Sequence, residues 1–469
     1  MPVIFRSPRP KRVLRGVKAR RRTELGLLVA AAIIIVAAYT LMILGNTAKV
    51  PADVVPLLIV MLVLGAVAHI ANRIFVPDAV SVVLPIAFLL NGLGYVFILR
   101  IDLGLRQNYA PLQAAWTAGG VAAYVLTLIF IRRSRDLDRY RYIFLAGGVI
   151  LLLLPLAPHP VGSTINGARL WVRFGNFQFQ PVEVAKILLC IFFASYFAEK
   201  RELLTIPTAR LGNRLVIDPR PLVPIVLAWA FAIGVMSLED DIGFSALLFT
   251  LFIGLLWVTT GRTGYLVFGV VLFAAGAYVA GRYFTQTHIR VETWLDPWRI
   301  IPPNDPGLQL RRAWYALGSG GIGGQGLGLG FGAYEIPNSN TDSIFAVIGN
   351  EMGLLGSSMV VAAFLLLAGT GFRIAQAARS EFAKLTATGL TIIIGFQAFF
   401  IIGGVVRLLP LTGITLPFVS YGGSALIANY VLIALLMRIS DEGGAAADAA
   451  DQAEWEKNEE RRERLLSGG

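Results

Sequence analysis

Twelve apolar runs divide this chain, at about 24–46, 53–72, 79–100, 110–131, 141–157, 181–198, 221–238, 243–260, 263–283, 354–374, 383–406 and 416–438. Each is long enough to cross a hydrocarbon core as a helix, which takes roughly 17–25 residues. Lipid supplies no partner for backbone N–H and C=O groups, so runs of this length must satisfy their own hydrogen bonds. The expected fold class is therefore an all-α polytopic integral membrane protein with about 12 transmembrane helices. Apolar residues make up 56% of the sequence, charged residues 15%, and mean hydropathy is +0.68, which excludes a soluble globular fold.

The formal net charge of +12 raises nucleic acid as a partner, but the Lys and Arg residues lie in short clusters between apolar runs. That is the pattern of segments held at an anionic inner leaflet, so membrane lipid is expected and nucleic acid is not. Residues 1–22 carry nine Lys or Arg and no acid, a tail expected to be disordered and cytoplasmic. An even number of spans returns the C-terminus to the same side. The Arg132–Arg141, Lys200–Arg220 and Arg373–Lys384 loops join it there, and Glu239–Asp241 and the long loop from Thr285 fall outside. The chain then divides into a basic tail (1–23), two leading helices (24–75), a membrane core (76–440) with an external loop (284–342), and a charged tail (441–469), helical from Asp451 to Arg464. The first run is too long for a signal-peptide core and lacks a small-residue cleavage site, so it is expected to be retained. The single cysteine, Cys190, excludes an internal disulfide and reads as a small packed hydrophobe.

The longest polar interruption runs from Thr285 to Gly353. It holds Trp294-Leu295-Asp296-Pro297-Trp298, the glycine-rich Gly318–Gly328 stretch, and Pro337-Asn338-Ser339-Asn340-Thr341-Asp342, then turns apolar at Ile344-Phe345-Ala346-Val347-Ile348. An acid at the point of re-entry into a membrane is a functional-site candidate, because desolvating it costs several kcal/mol unless something offsets the cost. Gly318–Gly323 fits G-x-G-x-x-G but follows no strand, so a dinucleotide site is excluded. A flexible surface loop and a backbone that must approach a bulky group closely are both compatible with it. Trp294, Trp298 and Trp314 are expected at the membrane interface.

Three further stretches carry chemistry. Pro181 suits a first helical position, which places Glu183 and Lys186 one turn apart on one helix face, either as a self-neutralising pair or as part of a site. Arg169 and Arg173 lie just before, where they suit either a phosphate or interface anchoring. Glu239-Asp240-Asp241 reads as a solvated turn in preference to a divalent-cation site. Arg407–Gly413 and Leu416–Ser424 contain Pro410, Pro417 and several glycines, and predict a bent or re-entrant segment lining a cavity. His69, His159 and His288 are scattered and suggest neither a metal site nor a relay.

Taken in order, Gly167-Ala168-Arg169 with Trp171, Phe179-Gln180-Pro181 with Glu183 and Lys186, Asp241-Ile242-Gly243, Leu295-Asp296-Pro297, Ala316–Gly321, Thr341–Gly353 and Leu409–Ser424 resemble the SEDS family of bacterial cell-wall synthesis, which includes RodA, FtsW and SpoVE. Within it, Gly403–Pro410 with Ala428-Asn429-Tyr430, and the two helices ahead of a ten-helix core, are most similar to the actinobacterial RodA branch. The chain departs from the family in reading Asn340-Thr341-Asp342-Ser343 where His-Thr-Asp-Phe is usual, and Pro337-Asn338 where Pro-Glu is usual. The resemblance implies an inverting peptidoglycan glycosyltransferase that polymerises lipid II, with a class B penicillin-binding protein as partner. It implies Asp342 as catalytic base; Arg169, Trp171, Arg173, Glu183, Lys186, Arg407, Ser420 and Tyr421 as substrate and diphosphate residues; and an Mg²⁺ or Mn²⁺ ion at Asp342 and Asp241. A division-type polymerase and a lipid-linked precursor flippase are the alternatives. The two leading helices are expected to be peripheral to the chemistry, with His69 and Asn72 as their interior polar residues.

Overall fold

The computed structural model describes residues 11–47, 55–158, 162–165, 168–174, 177–205, 209–211, 214–216, 220–238, 241–299 and 305–467. In chain order the elements are α1 (Lys11–Thr47), α2 (Val55–Phe75), α3 (Val83–Leu105), α4 (Tyr109–Phe130), the short α5 (Arg135–Asp138), α6 (Arg141–Leu153), β1 (Gly162–Ile165), β2 (Ala168–Phe174), β3 (Phe177–Phe179), α7 (Val182–Thr205), β4 (Ala209–Leu211), β5 (Arg214–Val216), α8 (Val223–Leu238), α9 (Ile242–Thr260), α10 (Thr263–Tyr283), α11 (Thr285–Leu295), α12 (Leu308–Gly320), the short α13 (Gly332–Glu335), α14 (Ile344–Ala377), α15 (Glu381–Val405) and α16 (Gly423–Ser467). Each of the twelve apolar runs contains a helix. Among the described residues nine helices are long and apolar enough to span a membrane; α6 and α8 contribute the shorter apolar segments Arg141–Leu156 and Val226–Val235. The remaining run, α7, carries Glu183 and Lys186 in its first turns.

Helix α3 is buried around its whole circumference, from Val83 to Asp102, which makes it a central post of the bundle. A helix apolar on all sides can only be stable in lipid or inside such a core. Tyr95 and Phe97 on α3, Tyr124 on α4, Phe193 and Phe197 on α7 and Phe244 on α9 are fully buried large side chains.

Four features differ from the sequence reading. First, the basic tail is helical from Lys11 as the continuous start of α1, because Lys, Arg, Leu and Val in this stretch have no proline to stop a helix that the apolar run has already nucleated. Second, β1, β2 and β3 form a three-stranded antiparallel sheet in that order. Strand alternation leaves Val172 buried and its neighbour Arg173 exposed. Third, α16 starts at Gly423 where the apolar run suggests 416, because Pro417 and the glycines keep the preceding segment irregular, and it runs unbroken through the charged tail to Ser467. Fourth, Glu24 joins His69 and Asn72: His69 Nδ1 lies 2.8 Å from Glu24 Oε1, Asn72 Nδ2 donates to the same oxygen at 3.1 Å, and the Tyr124 hydroxyl bonds the Asn72 side-chain oxygen. This buried cluster ties α1 and α2 to α4.

The glycine-rich loop and α14 are one construction. Helix α14 begins at Ile344 and breaks at Gly353, with φ 66° and ψ −165°, a backbone shape that suits glycine alone. The amides after the break, Leu354 and Leu355, donate to the carbonyls of Gly321 and Ile322 at 2.9 and 3.1 Å; the carbonyls before it, Asn350 and Glu351, accept from Gln325 and Gly326 at 3.0 Å each. The loop thereby satisfies the backbone groups that the break sets free. A Cβ at Gly324 would lie 2.1 Å from the Glu351 carbonyl oxygen. The glycines thus permit close approach of backbone to backbone, and the flexible surface loop is corrected.

Candidate active site

The irregular segment 406–422 between α15 and α16 is a hub on which α11, α15 and the Asn340–Thr341 turn meet. The Thr412 carbonyl accepts from Arg290 Nη1 on α11 at 2.8 Å. The Thr415 carbonyl accepts from Gln397 Nε2 on α15 at 3.0 Å. Ser420 Oγ accepts from the Leu416 amide at 2.9 Å and donates to the Thr341 carbonyl at 2.7 Å, and the Tyr421 amide donates to the Asn340 carbonyl at 2.8 Å. At the start of α16, Ser424 Oγ accepts from the Gln180 amide at 2.9 Å. Pro410 and Pro417 prevent this segment from continuing either helix, which leaves its carbonyls free for these contacts.

Asp342 follows directly on the two residues stapled to Ser420 and Tyr421, and is separated from α14 by Ser343 alone. It keeps part of its surface open. Desolvation nonetheless lifts its pKa to about 6, against the opposing pull of the Arg290 guanidinium and a hydrogen bond from Thr341. Asp241 is buried and caps the N-terminus of α9, with Oδ1 accepting from the Phe244 amide at 3.0 Å. Its Oδ2 is buried without a hydrogen-bond partner. Its pKa is also lifted to about 6, chiefly by desolvation; Phe244 and Arg290 lower it and Glu183 raises it. The solvated turn expected here is therefore corrected for Asp241, and Glu239 and Asp240 lie outside the described residues. Arg290 is the cation that both acids feel, and the sequence reading passed over it. The available signal was that two acids brought to a membrane surface need a positive neighbour, and the loop between α10 and α14 offers few on its buried side.

Glu183 and Lys186 are both buried and paired, Nζ to Oε2, at 2.5 Å. The pair is not self-contained. Lys186 Nζ also donates to Gln397 Oε1 at 2.8 Å, so the line Glu183–Lys186–Gln397 ends on the Thr415 carbonyl of the hub. Lys186 sits 5.6 Å above the Phe244 ring, and Glu183 Oε1 has no hydrogen-bond partner. A buried carboxylate oxygen left open in this way is available to a ligand donor.

The model of a family described as Cell cycle protein, that of FtsW, RodA and SpoVE, matches residues 80–444. The chain belongs to the FtsW/RodA/SpoVE family. It is 40% identical to the peptidoglycan glycosyltransferase RodA of Mycobacterium tuberculosis over 445 residues, 94% of this chain and 92% of that one. Against the protein of the same name from Mycobacterium leprae it is 41% identical over 429 residues, 90% of each. Among solved structures it resembles a chain of a peptidoglycan synthase complex that coordinates polymerization and crosslinking, with 25% identity and a TM-score of 0.61 over 76% of this chain and 96% of that one. RodA of Thermus thermophilus, 22% identical with a TM-score of 0.52 over 76% and 94%, shares the fold. The Mycobacterium tuberculosis match, at 94% of the chain, reaches into the two leading helices, which the family model itself, starting at residue 80, does not include.

Other residues that the FtsW/RodA/SpoVE resemblance pointed to are distributed more widely. Arg407 adopts φ 65° and spends its guanidinium on the last carbonyls of α11, donating from Nε to Trp294 at 3.1 Å and from Nη2 to Leu295 at 2.8 Å, with its charge 5.2 Å over the Trp314 ring. It anchors the loop of the three tryptophans. Trp171 is half-buried in β2 and Arg173 exposed beside it. Arg169 lies in the same strand, on the hairpin that leads into α7. The Tyr421 ring packs 4.9 Å from that of Tyr109.

The family resemblance implies a divalent ion at Asp342 and Asp241. Among the described residues no three His, Cys, Asp or Glu side chains gather to hold a metal. Asp241, with its buried unpartnered oxygen, offers the single carboxylate that a magnesium ion can take while completing its shell with water and substrate phosphates.

Proposed function

We infer that the chain is a peptidoglycan glycosyltransferase of the RodA kind, polymerising lipid II into glycan strands during cell-wall elongation. The observation that carries the reading is Asp342: a desolvated carboxyl raised to about 6, joined through Thr341 to the hydrogen-bonded 406–422 segment and feeling the charge of Arg290. Polymerisation requires a sugar 4-hydroxyl to attack an anomeric carbon from the face opposite the diphosphate. The C–O bond to the incoming sugar forms as the C–O bond to undecaprenyl diphosphate breaks. Asp342 takes the hydroxyl proton, and a base whose pKa lies near the working pH does so with least waste of driving force. The negative charge that moves onto the diphosphate needs fixed positive charge in a low-dielectric setting. Lys186 supplies it from inside the bundle and Arg290 from the external loop, with Arg169 and Arg173 on the strand ahead of α7. Asp241 and Asp342 would hold an Mg²⁺ or Mn²⁺ ion, which supplies further charge for the diphosphate.

A class B penicillin-binding protein, whose transpeptidase crosslinks the strands, is the proposed partner; the likeness to a chain of a peptidoglycan synthase complex supports it. We also place both termini and the Arg132–Arg141 loop in the cytoplasm and the Thr285–Thr341 loop outside, on the basis of the basic clusters. Labelling from outside of a cysteine introduced at Ser319 but not at Ser134, with Cys190 replaced, tests this orientation, and the reverse pattern would sink it.

The deciding experiment is glycan synthesis from lipid II by purified protein in detergent, where no second leaflet exists for a flippase to serve. Wild-type protein is expected to make strands, and Asp342→Asn to lose about 10²–10⁴-fold in rate, as for removal of a general base. Turnover by Asp342→Asn within a few-fold of wild type would remove Asp342 from the mechanism.

A further inference from the structure

The C-terminal end of α1 meets the glycine-rich loop more closely than a side chain permits. A Cβ at Gly45 would lie 2.2 Å from the Leu327 carbonyl oxygen, and a Cβ at Gly328 would lie 2.2 Å from the Met42 carbonyl oxygen. Glycine on both sides is what lets the two backbones touch. Next to this contact, Arg100 Nη1 of α3 reaches Asn46 Oδ1 at 3.4 Å, while the same guanidinium donates from Nε to Glu351 Oε1 and from Nη2 to the Gly330 carbonyl, each at 2.8 Å. Glu351 Oε2 in turn accepts from the Gly328 amide at 2.9 Å. Arg100 and Glu351 are both buried, so the pair holds only because its charges are mutually satisfied.

From this clamp the chain leads to Asp342 with little slack. The Gly332 amide is held by Asn350 Oδ1 at 3.0 Å, and the Ser339 hydroxyl by the Ala333 carbonyl at 3.0 Å. The contact is not needed to dock α1, whose other end is secured by the Glu24–His69–Asn72 cluster and whose middle buries Ile35, Ala38 and Tyr39. We propose that the Met42–Asn46 turn of α1 is a positioning element of the polymerase, setting the Leu327–Gly330 backbone and through it the approach to Asp342. The proposal rests on the glycosyltransferase reading and gives a leading helix a part in turnover, in place of the peripheral role expected from the sequence.

Full-length purified Gly45→Ala places a methyl group against the Leu327 carbonyl, and Gly26→Ala, on the same helix with nothing within 4 Å, is the control. Amide hydrogen exchange and lipid II polymerisation are both measured. Gly45→Ala is expected to speed exchange of the Gly326–Gly330 amides about ten-fold or more, with exchange along α3 unchanged. Its kcat should fall about ten-fold while KM changes less than about two-fold, as for misplacement of a catalytic group. Gly26→Ala should match wild type in both. Should Gly45→Ala not be recovered folded, Asn46→Ala, which leaves the backbone contact unobstructed, is expected to lower kcat about three-fold with the same local rise in exchange. Loop exchange equal to wild type overturns the proposal, as does a kcat within two-fold of wild type in the variant recovered. A general loss of protection along α1 and α3 with unchanged kcat per folded molecule also overturns it. Wild-type protein that makes no glycan sinks the glycosyltransferase reading instead, and loop exchange then decides the clamp alone.

Discussion

Ser420 Oγ stands between the Leu416 amide, from which it accepts at 2.9 Å, and the Thr341 carbonyl, to which it donates at 2.7 Å. One buried hydroxyl therefore closes the turn of the 406–422 segment and fixes the residue before Asp342. Ser420→Ala leaves both partners unsatisfied, at a cost of about 1–3 kcal/mol each where they stay dry. We expect glycan polymerisation to fall at least about ten-fold, since small displacements of a catalytic group carry large rate losses. Steady-state kinetics of the purified variant at matched folded fraction check this; a change in KM alone would place Ser420 in binding and not in alignment.

The pH profile should expose Asp342. A base must be ionised, and burial raises this carboxyl to about 6, so kcat/KM is expected to be flat above that value and to fall as pH drops through it. Arg290 favours the ionised form. Arg290→Met should therefore move the acid limb upward as well as lowering the plateau. A limb that stays put or moves down in Arg290→Met would show that this cation does not act on the base.

Asp241 separates a structural cap from a charge. Asparagine also caps a helix N-terminus well, so Asp241→Asn retains the bond to the Phe244 amide. Because the folded pKa is raised to about 6, ionised Asp241 weakens the fold above the unfolded carboxylate pKa, increasingly as pH rises through 6. Asp241→Asn should thus leave Tm at pH 7.5 equal or higher while polymerisation falls and its Mg²⁺ dependence flattens. Full activity with unchanged Mg²⁺ dependence would reduce Asp241 to a cap.

The Glu183–Lys186 pair is expected to resist single replacement. Glu183→Gln or Lys186→Met strands a buried charge, at a cost of about 3–5 kcal/mol, whereas the double variant removes both. Recovered expression of the double variant without recovered polymerisation gives the pair a part in the site; recovered polymerisation makes it structural. Gln397→Leu, which breaks the link from Lys186 to the Thr415 carbonyl, should follow the same division in weaker form.

The spans were legible because hydrophobic length is a local property: a run that must cross lipid announces itself whatever it packs against. Asp342 was legible for the same reason, as an acid at the edge of an apolar run, and so was the helical spacing that pairs Glu183 with Lys186. The breaks at Pro410 and Pro417 announced an irregular segment, but not that its carbonyls at Thr412 and Thr415 would receive Arg290 and Gln397. Arg407 reads from the sequence only as a diphosphate candidate, and its partners, the Trp294 and Leu295 carbonyls, were not legible because they are more than a hundred residues away in sequence.

Sequence alone determined what each segment can be: which runs enter the membrane, where helices must break, and which charged groups are too costly to be there by chance. Only the tertiary structure decided what those groups meet. Hydrophobic burial is additive along a chain and can be read from it, whereas a hydrogen bond or ion pair depends on two partners whose separation is set by the packing of everything between them. Glu24 finding His69, Arg100 finding Glu351 and Gly45 finding Leu327 are facts of that second kind.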